Sequence, residues 1–186
     1  MTAQSKDTGP SLRELYETKA AAEIAQAEQL LPGADIVASS GNPLARTMLV
    51  KGQKGSAEES GGADLSGEDG LAARKALEAL GIDPQDVLAV VSRPITDPNP
   101  DLVASRIRGL IEAVDPVTVI ALDGEAAVDL AAAFALDGLA FGTPMTVFGR
   151  TLLAVDGLEA SLEDGPRKRK VWKQFITIAS GKPGTS

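Results

Sequence analysis

Short apolar runs alternate with helical patterns along most of the chain. The runs RTMLVK, DVLAVVS and VTVIALD have the length and the β-branched content of buried strands. Helical patterns separate them, and the clearest begins with Asn99 and Pro100 and ends before Pro116. Strands that alternate with helices in this way predict a three-layer α/β/α fold with a central, mostly parallel, four-stranded sheet.

The helical patterns carry start and stop signals. Ser11 and Glu14 form the capping-box pattern before a segment rich in Ala, Leu and Glu. Gly81 ends LAARKALEALG and is typical of the residue after a helix end. Asp123 is expected to cap the Ala-rich segment that follows it, and Pro166 to open the last helix.

Two further segments complete the predicted architecture. PMTVFG and RTLLAV are interpreted as a β-ribbon or as a turn into the fourth parallel strand. The Gly-, Ser- and acid-rich residues 55–70 are expected to be flexible. In the last helix, Val171, Phe175 and Ile178 follow helical spacing and form an inward face, and Trp172 is expected to pack in the core or against a helix.

The chain length is that of one domain. Residues 11–180 are assigned to a single α/β domain between flexible ends at residues 1–10 and 181–186. The chain lacks an apolar run of 18 residues, and its first ten residues lack the apolar core of a signal peptide. The sequence therefore predicts a cytoplasmic protein with no membrane partner.

The amino-acid composition restricts the available chemistry. The chain has 186 residues and contains neither cysteine nor histidine. Disulfides, thiolate catalysis, an iron–sulfur cluster and a Cys- or His-ligated zinc site are therefore excluded, and no cofactor or metal is predicted. Any catalysis must use carboxylates, lysine, Tyr16, hydroxyl groups or bound water.

Charge is unevenly distributed along the chain. The formal net charge of −8 argues against broad affinity for nucleic acid, because phosphate binding depends on Lys and Arg. Five acidic residues fall within residues 55–70, whereas RKRKVWK contains five basic residues. The basic segment is interpreted as a solvated helix face or as a DNA or anion contact formed by Arg167, Lys168, Arg169 and Lys170.

In open parallel sheets, ligands bind beyond the carboxyl ends of the strands. The loops at residues 51–56, 92–99, 122–125 and 155–160 are therefore expected to converge on one cleft. The first of these loops, KGQKGS, has glycines whose backbone N–H groups can bind an anion or a nucleotide. The alternative is an ordinary strand-to-loop connection, and the P-loop pattern GxxxxGK[ST] is absent.

Four segments of the chain, in order, resemble the sequence motifs of one known enzyme superfamily. GNPLARTMLVKGQKG resembles GNPxARxMxVGExPG, and GGADLSGEDGLAARKALEALGID resembles GxPFVGxAGxLLDxxLxxxGID. The segment from SRPITDPNP to ALDGEAA resembles the CRPPxNRxP segment and the helix and strand after it. GPRKRKVWKQFITIA resembles the last helix, which follows the family's HPS loop. This superfamily is that of the uracil-DNA glycosylases, whose families 4 and 5 the chain resembles most, and the resemblance covers about residues 11–179.

The resemblance implies a four-stranded parallel sheet between helices and a site that cleaves the glycosidic bond of a flipped base. Family chemistry uses an acid or amide in the first loop to position water and an aromatic residue to stack on uracil. An asparagine often reads the base, and a histidine in the last loop stabilises the uracil anion. Family 4 also binds an iron–sulfur cluster through four cysteines.

This chain departs from the family at each of these positions. The glutamate of GExPG falls at Gly52, and in the GQDPY alignment the aspartate falls at Lys54. The stacking phenylalanine falls near Leu65, which has no aromatic ring. The histidine of HPS falls at Asp156 or Gly157. A carboxylate in that place would repel a departing uracil anion.

The remaining motif positions are also substituted. The base-reading asparagine falls within residues 88–92, where there is no Asn. Two cluster cysteines fall at Ser92 and Ser105, and the N-terminal pair is absent. The resemblance thus implies a catalytically degenerate protein that keeps the scaffold.

The leading hypothesis is a binding or interaction module with a residual pocket for a base, a nucleotide or an anion. Its partners would be nucleic acid or nucleotide, bound weakly, or protein. The candidate ligand-binding residues are those of the first loop and two positions aligned with family motifs, namely Gly52, Gln53, Lys54, Gly55, Ser56, Leu65 and Ser92.

Two alternatives remain open. The first is an active DNA glycosylase of base excision repair, a hydrolase whose chemistry is relocated to Glu58, Glu59 or Asp156. It predicts a carboxylate with a raised pKa in a closed, partly apolar pocket. Glu58 and Glu59 are otherwise interpreted as part of a solvated flexible loop. The second alternative is a pure protein-interaction scaffold, which an exposed apolar patch would favour.

Overall fold

The computed structural model describes residues 9–31 and 39–180. Apart from residues 9 and 10, the predicted flexible ends at residues 1–10 and 181–186 lie outside the described residues. The helices are α1 (Leu12–Glu28), α2 (Ser56–Glu59), α3 (Glu68–Ala79), α4 (Pro100–Val114), α5 (Gly124–Ala133), α6 (Leu158–Ser161) and α7 (Gly165–Ser180). The strands are β1 (Ser40–Gly41), β2 (Thr47–Gln53), β3 (Val87–Arg93), β4 (Thr118–Ala121), β5 (Met145–Val147) and β6 (Arg150–Ala154).

The sheet has the strand order β1-β3-β2-β4-β6-β5. The four inner strands are parallel, and the two short edge strands are antiparallel to their neighbours. The predicted α/β class and mostly parallel sheet are confirmed, but the predicted number of four strands is wrong. PMTVFG forms β5 as well as the turn into β6, because Phe148 and Gly149 both adopt the positive φ that suits a two-residue hairpin.

The period of two in β2 directs side chains to opposite faces of the sheet. Met48 and Val50 belong to the core beneath α1, α4 and α5, whereas Leu49 belongs to the core beneath α3, α6 and α7. The sheet therefore lies between two helical layers. This register places Lys51 on the face of Leu49, at the carboxyl end of the strand.

The predicted helix boundaries rest on local hydrogen bonds. Ser11 and Glu14 form the reciprocal capping box. Asn99 and Asp123 each accept a backbone N–H at the start of α4 and α5. Gly81 follows α3 with a φ of +73°, a conformation that favours glycine. None of the described helices is both long and apolar enough to cross a lipid bilayer.

Two expectations about packing are wrong. Residues 55–70 are not an open flexible segment, because they contain α2 and bury Asp64, Leu65 and Asp69. The backbone N–H of Leu65 donates to Glu58 Oε1 at 2.8 Å, and this bond ties the segment together. Trp172 is 39% exposed and lies outside the core, so the prediction of a core position is wrong, whereas its packing against a helix stays a prediction.

Candidate functional site

Lys51 is a buried cation at the carboxyl end of β2. It follows three fully buried apolar residues of the strand and is itself only 5% exposed. A charged group in such a place is costly unless opposite charges and hydrogen bonds compensate for the water it loses. Compensation comes from α2, α3 and α6, the elements next to this end of the strand.

Three carboxylates converge on the Lys51 ammonium group. The Nζ atom lies 2.6 Å from Asp69 Oδ2, 3.1 Å from Glu159 Oε2 and 3.8 Å from Glu58 Oε2. Burial lowers the pKa of Lys51, but the contacts with Asp69, Glu159 and Glu58 outweigh this effect and raise the pKa above its usual value. Lys51 is therefore protonated at neutral pH, with three negative partners.

The two candidate catalytic glutamates of the first loop have different surroundings. Glu59 is exposed, whereas Glu58 is only 2% exposed. Oε2 of Glu58 accepts the N–H of Gly55 at 2.8 Å, and Oε1 accepts the N–H of Leu65. The interpretation of both residues as a solvated loop is wrong for Glu58, because these bonds and Lys51 replace its hydration.

The glycines of the first loop allow close packing. A Cβ atom on Gly55 would lie 2.6 Å from Lys51 Nζ. A Cβ atom on Gly52 would lie 2.7 Å from Asp123 Oδ1, and the Gly52 N–H donates to Asp123 Oδ2 at 2.8 Å. The Gly52 N–H therefore binds a side chain of the protein itself, at the place where the sequence suggested a ligand.

Two clefts adjoin Lys51. The first has a volume of about 330 Å³ and lies between α2, the start of α3, and α6. The second has a volume of about 490 Å³ and extends toward the end of β4. The first is lined by Lys51, Gly55, Ser56, Ala57, Glu58, Gly67, Glu68, Asp69, Glu159, Ala160, Leu162 and Glu163. The second is lined by Lys51, Gln53, Lys54, Asp69, Leu122, Asp123, Glu125, Gly157, Leu158, Glu159 and Ala160.

Both clefts carry an excess of acidic side chains. The first has five acidic residues and one lysine in its lining, and the second has four acidic residues and two lysines. In the second cleft, Gln53 Nε2 donates to Glu125 Oε1 at 2.9 Å. Anionic groups would be repelled from both clefts, whereas the amide and the carboxylates of the second cleft can bond to N–H donors.

The four predicted loops contribute unequally. The loops at residues 51–56, 122–125 and 155–160 line the clefts, but the loop at 92–99 does not. Ser92 is fully buried, and its hydroxyl donates to Asp129 Oδ2 at 2.6 Å. Leu65 is also fully buried. The predicted ligand-binding residues Ser92 and Leu65 thus lie outside both clefts. Of the other predicted residues, Gly55 and Ser56 line the first cleft, and Gln53 and Lys54 line the second.

Asp156 is bound to the basic start of α7. Lys170 Nζ donates to its Oδ2, and Arg167 Nη2 lies 3.7 Å from its Oδ1. The hydrogen bond from Lys170 lowers the pKa of Asp156, which is the opposite of the shift expected for a relocated catalytic acid. Of the four predicted basic contacts, Lys168, Arg169 and Lys170 are exposed, and Arg167 is half-buried.

Within residues 9–31 and 39–180, no three acidic side chains are grouped as metal ligands. The carboxylates of Glu58, Asp69 and Glu159 instead surround the Lys51 ammonium group. No protein-family model matches the chain, and comparison with curated proteins finds no significant match.

Sequence reasoning missed the central members of this site. Asp69 and Glu159 are absent from the predicted site residues, and Lys51 appears only as the end of a predicted strand and the start of the first loop. One local signal was available, because Lys51 continues an apolar run that the sequence predicts to be buried. Asp69 and Glu159 lie in different helices, so their meeting at Lys51 depends on the fold.

Proposed function

We propose that this chain is a catalytically degenerate relative of the uracil-DNA glycosylases that binds an uncharged nucleobase or nucleoside without cleaving a glycosidic bond. The four matching sequence segments support the relationship. The parallel order of the four inner strands and the helical layers on both faces support it, whereas the two antiparallel edge strands go beyond the four-stranded sheet that the resemblance implies. The ion-paired state of Lys51 and its carboxylates is the observation that carries the functional part of the proposal.

Water activation needs a carboxylate that can reach water and accept its proton. Both oxygens of Glu58 accept backbone N–H groups, and Lys51 lies beside them. Asp156, at the position aligned with the family's histidine, is bound to Lys170 and cannot stabilise a departing anion. Loss of one anion-stabilising donor commonly costs about 3 kcal/mol of transition-state stabilisation.

The second cleft fits an uncharged heterocycle. Its volume of about 490 Å³ is ordinary for a small-molecule site. Leu122 and Leu158 supply apolar surface, and Gln53 and Glu125 supply polar groups at the rim. The excess of carboxylates disfavours a phosphate and favours a ligand with amino or imino donors.

An excision assay on uracil-containing single- and double-stranded DNA tests the absence of catalysis. We expect no release of uracil by the wild-type chain at stoichiometric enzyme concentrations. Glu58→Gln and Glu59→Gln form a matched pair, because one residue is buried in the site and the other is exposed. Uracil release that Glu58→Gln abolishes and Glu59→Gln preserves would overturn the proposal in favour of relocated catalysis.

A further inference from the structure

The outer face of α1 exposes large apolar side chains. Leu12, Leu15 and Tyr16 are 69%, 52% and 57% exposed, and Leu30 is 39% exposed. The packed face of the same helix uses small residues, Ala20 and Ala27. An apolar outer face on one helix marks an interaction surface.

Helical spacing aligns part of this surface in one stripe, because residues three and four apart share a face. We call it the α1 stripe, and it consists of Leu12, Tyr16, Lys19, Glu23 and Gln26 of α1, continued by Leu30 in the turn after the helix. Beside it, α1 and α4 form a groove of about 510 Å³ that includes Lys19, Glu23, Gln26 and Leu30. Its floor is where α1 crosses Gly109 of α4, at which a Cβ atom would lie 3.1 Å from Ala27 Cβ.

The α1 stripe is complementary to itself in the antiparallel direction. When two copies of the helix run in opposite directions about residue 21, Leu12 lies opposite Leu30 and Lys19 lies opposite Glu23. Tyr16 then lies opposite Gln26, whose amide can bond to the phenol. The ends of the contact are apolar and its centre pairs opposite charges, twice by symmetry.

We propose that two copies of this chain associate through their α1 stripes in a two-fold symmetric, antiparallel helix pair. The 17 residues of α1 span about 25 Å at 1.5 Å per residue, and Leu30 lies in the turn beyond them. Lys19 and Glu23 have side chains that are 68% and 41% exposed, so they are accessible to a partner although they contact each other within the helix. An interface based on one helix pair is small, so the dimer is weak.

Sedimentation velocity of the full chain over a range of concentrations tests the association. We expect a monomer–dimer equilibrium with a dissociation constant on the order of micromolar. The double variant Leu12→Ser/Tyr16→Ser should weaken it by about tenfold or more, because apolar contact at both ends of the stripe is lost. A chain that stays monomeric up to millimolar concentration, or a dimer that this variant leaves unchanged, overturns the proposal.

Charge-reversal variants distinguish the effect of the Lys19–Glu23 contact between chains from the effect of the same contact within one helix. Lys19→Glu and Glu23→Lys should each weaken their own dimer, because each puts like charges opposite each other. A mixture of the two variants should associate more tightly than either alone, because each Glu then faces a Lys of the other chain. The contact within each helix stays repulsive in the mixture, so it cannot produce this recovery.

Arg13→Glu is the matched control. It breaks a salt bridge of the same spacing, Arg13 with Glu17, on another face of the same helix. Circular dichroism checks that all variants keep their helical content. The proposal fails if the mixture shows no recovery, or if Arg13→Glu weakens the dimer as much as Lys19→Glu does.

Discussion

Lys51 and Arg106 are both buried cations, and they lie on opposite faces of the sheet. Arg106 is fully buried in α4, and its guanidinium donates to Glu28 Oε2 at 2.7 Å and to the carbonyl oxygen of Val91 at 2.9 Å. Lys51 has no backbone acceptor among its described contacts; it has three carboxylates instead, and two clefts open beside it. Arg106 joins α1, α4 and β3, whereas Lys51 forms the wall of a site.

The difference separates a structural charge from a candidate functional one. A closed arrangement that pairs one cation with one carboxylate fixes the positions of the elements around it. An open arrangement with more carboxylates than cations retains a local field that can select the charge of a ligand. We propose, as the central claim, that the Lys51 site occupies the place of a glycosylase site and selects an uncharged ligand that it does not cleave.

Arg106→Met should have the largest effect on stability. It leaves Glu28 Oε2 and the Val91 carbonyl oxygen without the donor that Arg106 supplies, while the Ser39 N–H still donates to Glu28 Oε1 at 3.1 Å. We expect a loss of about 4 kcal/mol in the free energy of unfolding, measured by urea denaturation. A loss below about 1 kcal/mol would mean that Arg106 does not hold these elements together.

Lys51→Met should lower the free energy of unfolding by less, about 3 kcal/mol. Solvent in the adjoining clefts can partly hydrate the carboxylates left behind. The loss should shrink as the pH falls, since unpaired buried carboxylates bind protons more readily in the folded state than in the unfolded state. Urea denaturation at pH 5 and pH 8 measures both effects. A loss that does not depend on pH would contradict the proposed role of Lys51 as the counter-ion of the cluster.

Asp64 lies between the two charged regions and titrates near neutral pH. Burial raises its pKa from 3.8 to about 7, although the N–H of Val91 and the charge of Arg106 oppose the shift, while the charges of Glu28 and Glu58 add to it. A carboxyl whose pKa is higher in the folded state stabilises the protein at low pH. We expect this contribution to fall by about 2 kcal/mol between pH 5 and pH 8.

Asp64→Asn is the matched variant for this dependence. The difference in unfolding free energy between wild type and variant isolates Asp64 from other titrating groups. That difference should change by about 2 kcal/mol between pH 5 and pH 8, and the wild type should be more stable relative to the variant at pH 5 than at pH 8. A difference that stays constant with pH would show that Asp64 keeps the same charge in the folded and unfolded states.

Glu159→Gln should have the smallest effect on stability. The Glu159 side chain is 59% exposed although its carboxylate lies 3.1 Å from Lys51 Nζ. Exposed ion pairs contribute about 0.5 kcal/mol, so thermal unfolding should change little. A loss of unfolding free energy comparable with that of Lys51→Met would mean that solvent does not reach the Lys51 cluster, as it does not reach Arg106.

The local elements of this fold could be predicted from the sequence, because caps and strands depend on neighbouring residues. Ser11 with Glu14, Asn99 and Asp123 cap the helices they were expected to cap. The edge strand β1 has only two residues and gives no periodic signal. Its pairing depends on the position of β3.

The candidate site was predictable in location but not in composition. The carboxyl ends of parallel strands indicated the loop after β2. The burial of Glu58 could not be predicted, because it depends on N–H groups of Gly55 and Leu65 that the local fold presents. The contacts of Lys51 with Asp69 and Glu159 join elements that are separated in sequence.

Calorimetric titration with a nucleoside and its 5′-monophosphate, such as cytidine and cytidine monophosphate, tests the central claim most directly. The predicted result is that the nucleoside binds at least about tenfold more tightly than the monophosphate. Glu125→Gln should narrow that difference by removing a negative charge from the lining of the second cleft. Equal or tighter binding of the monophosphate would contradict the account.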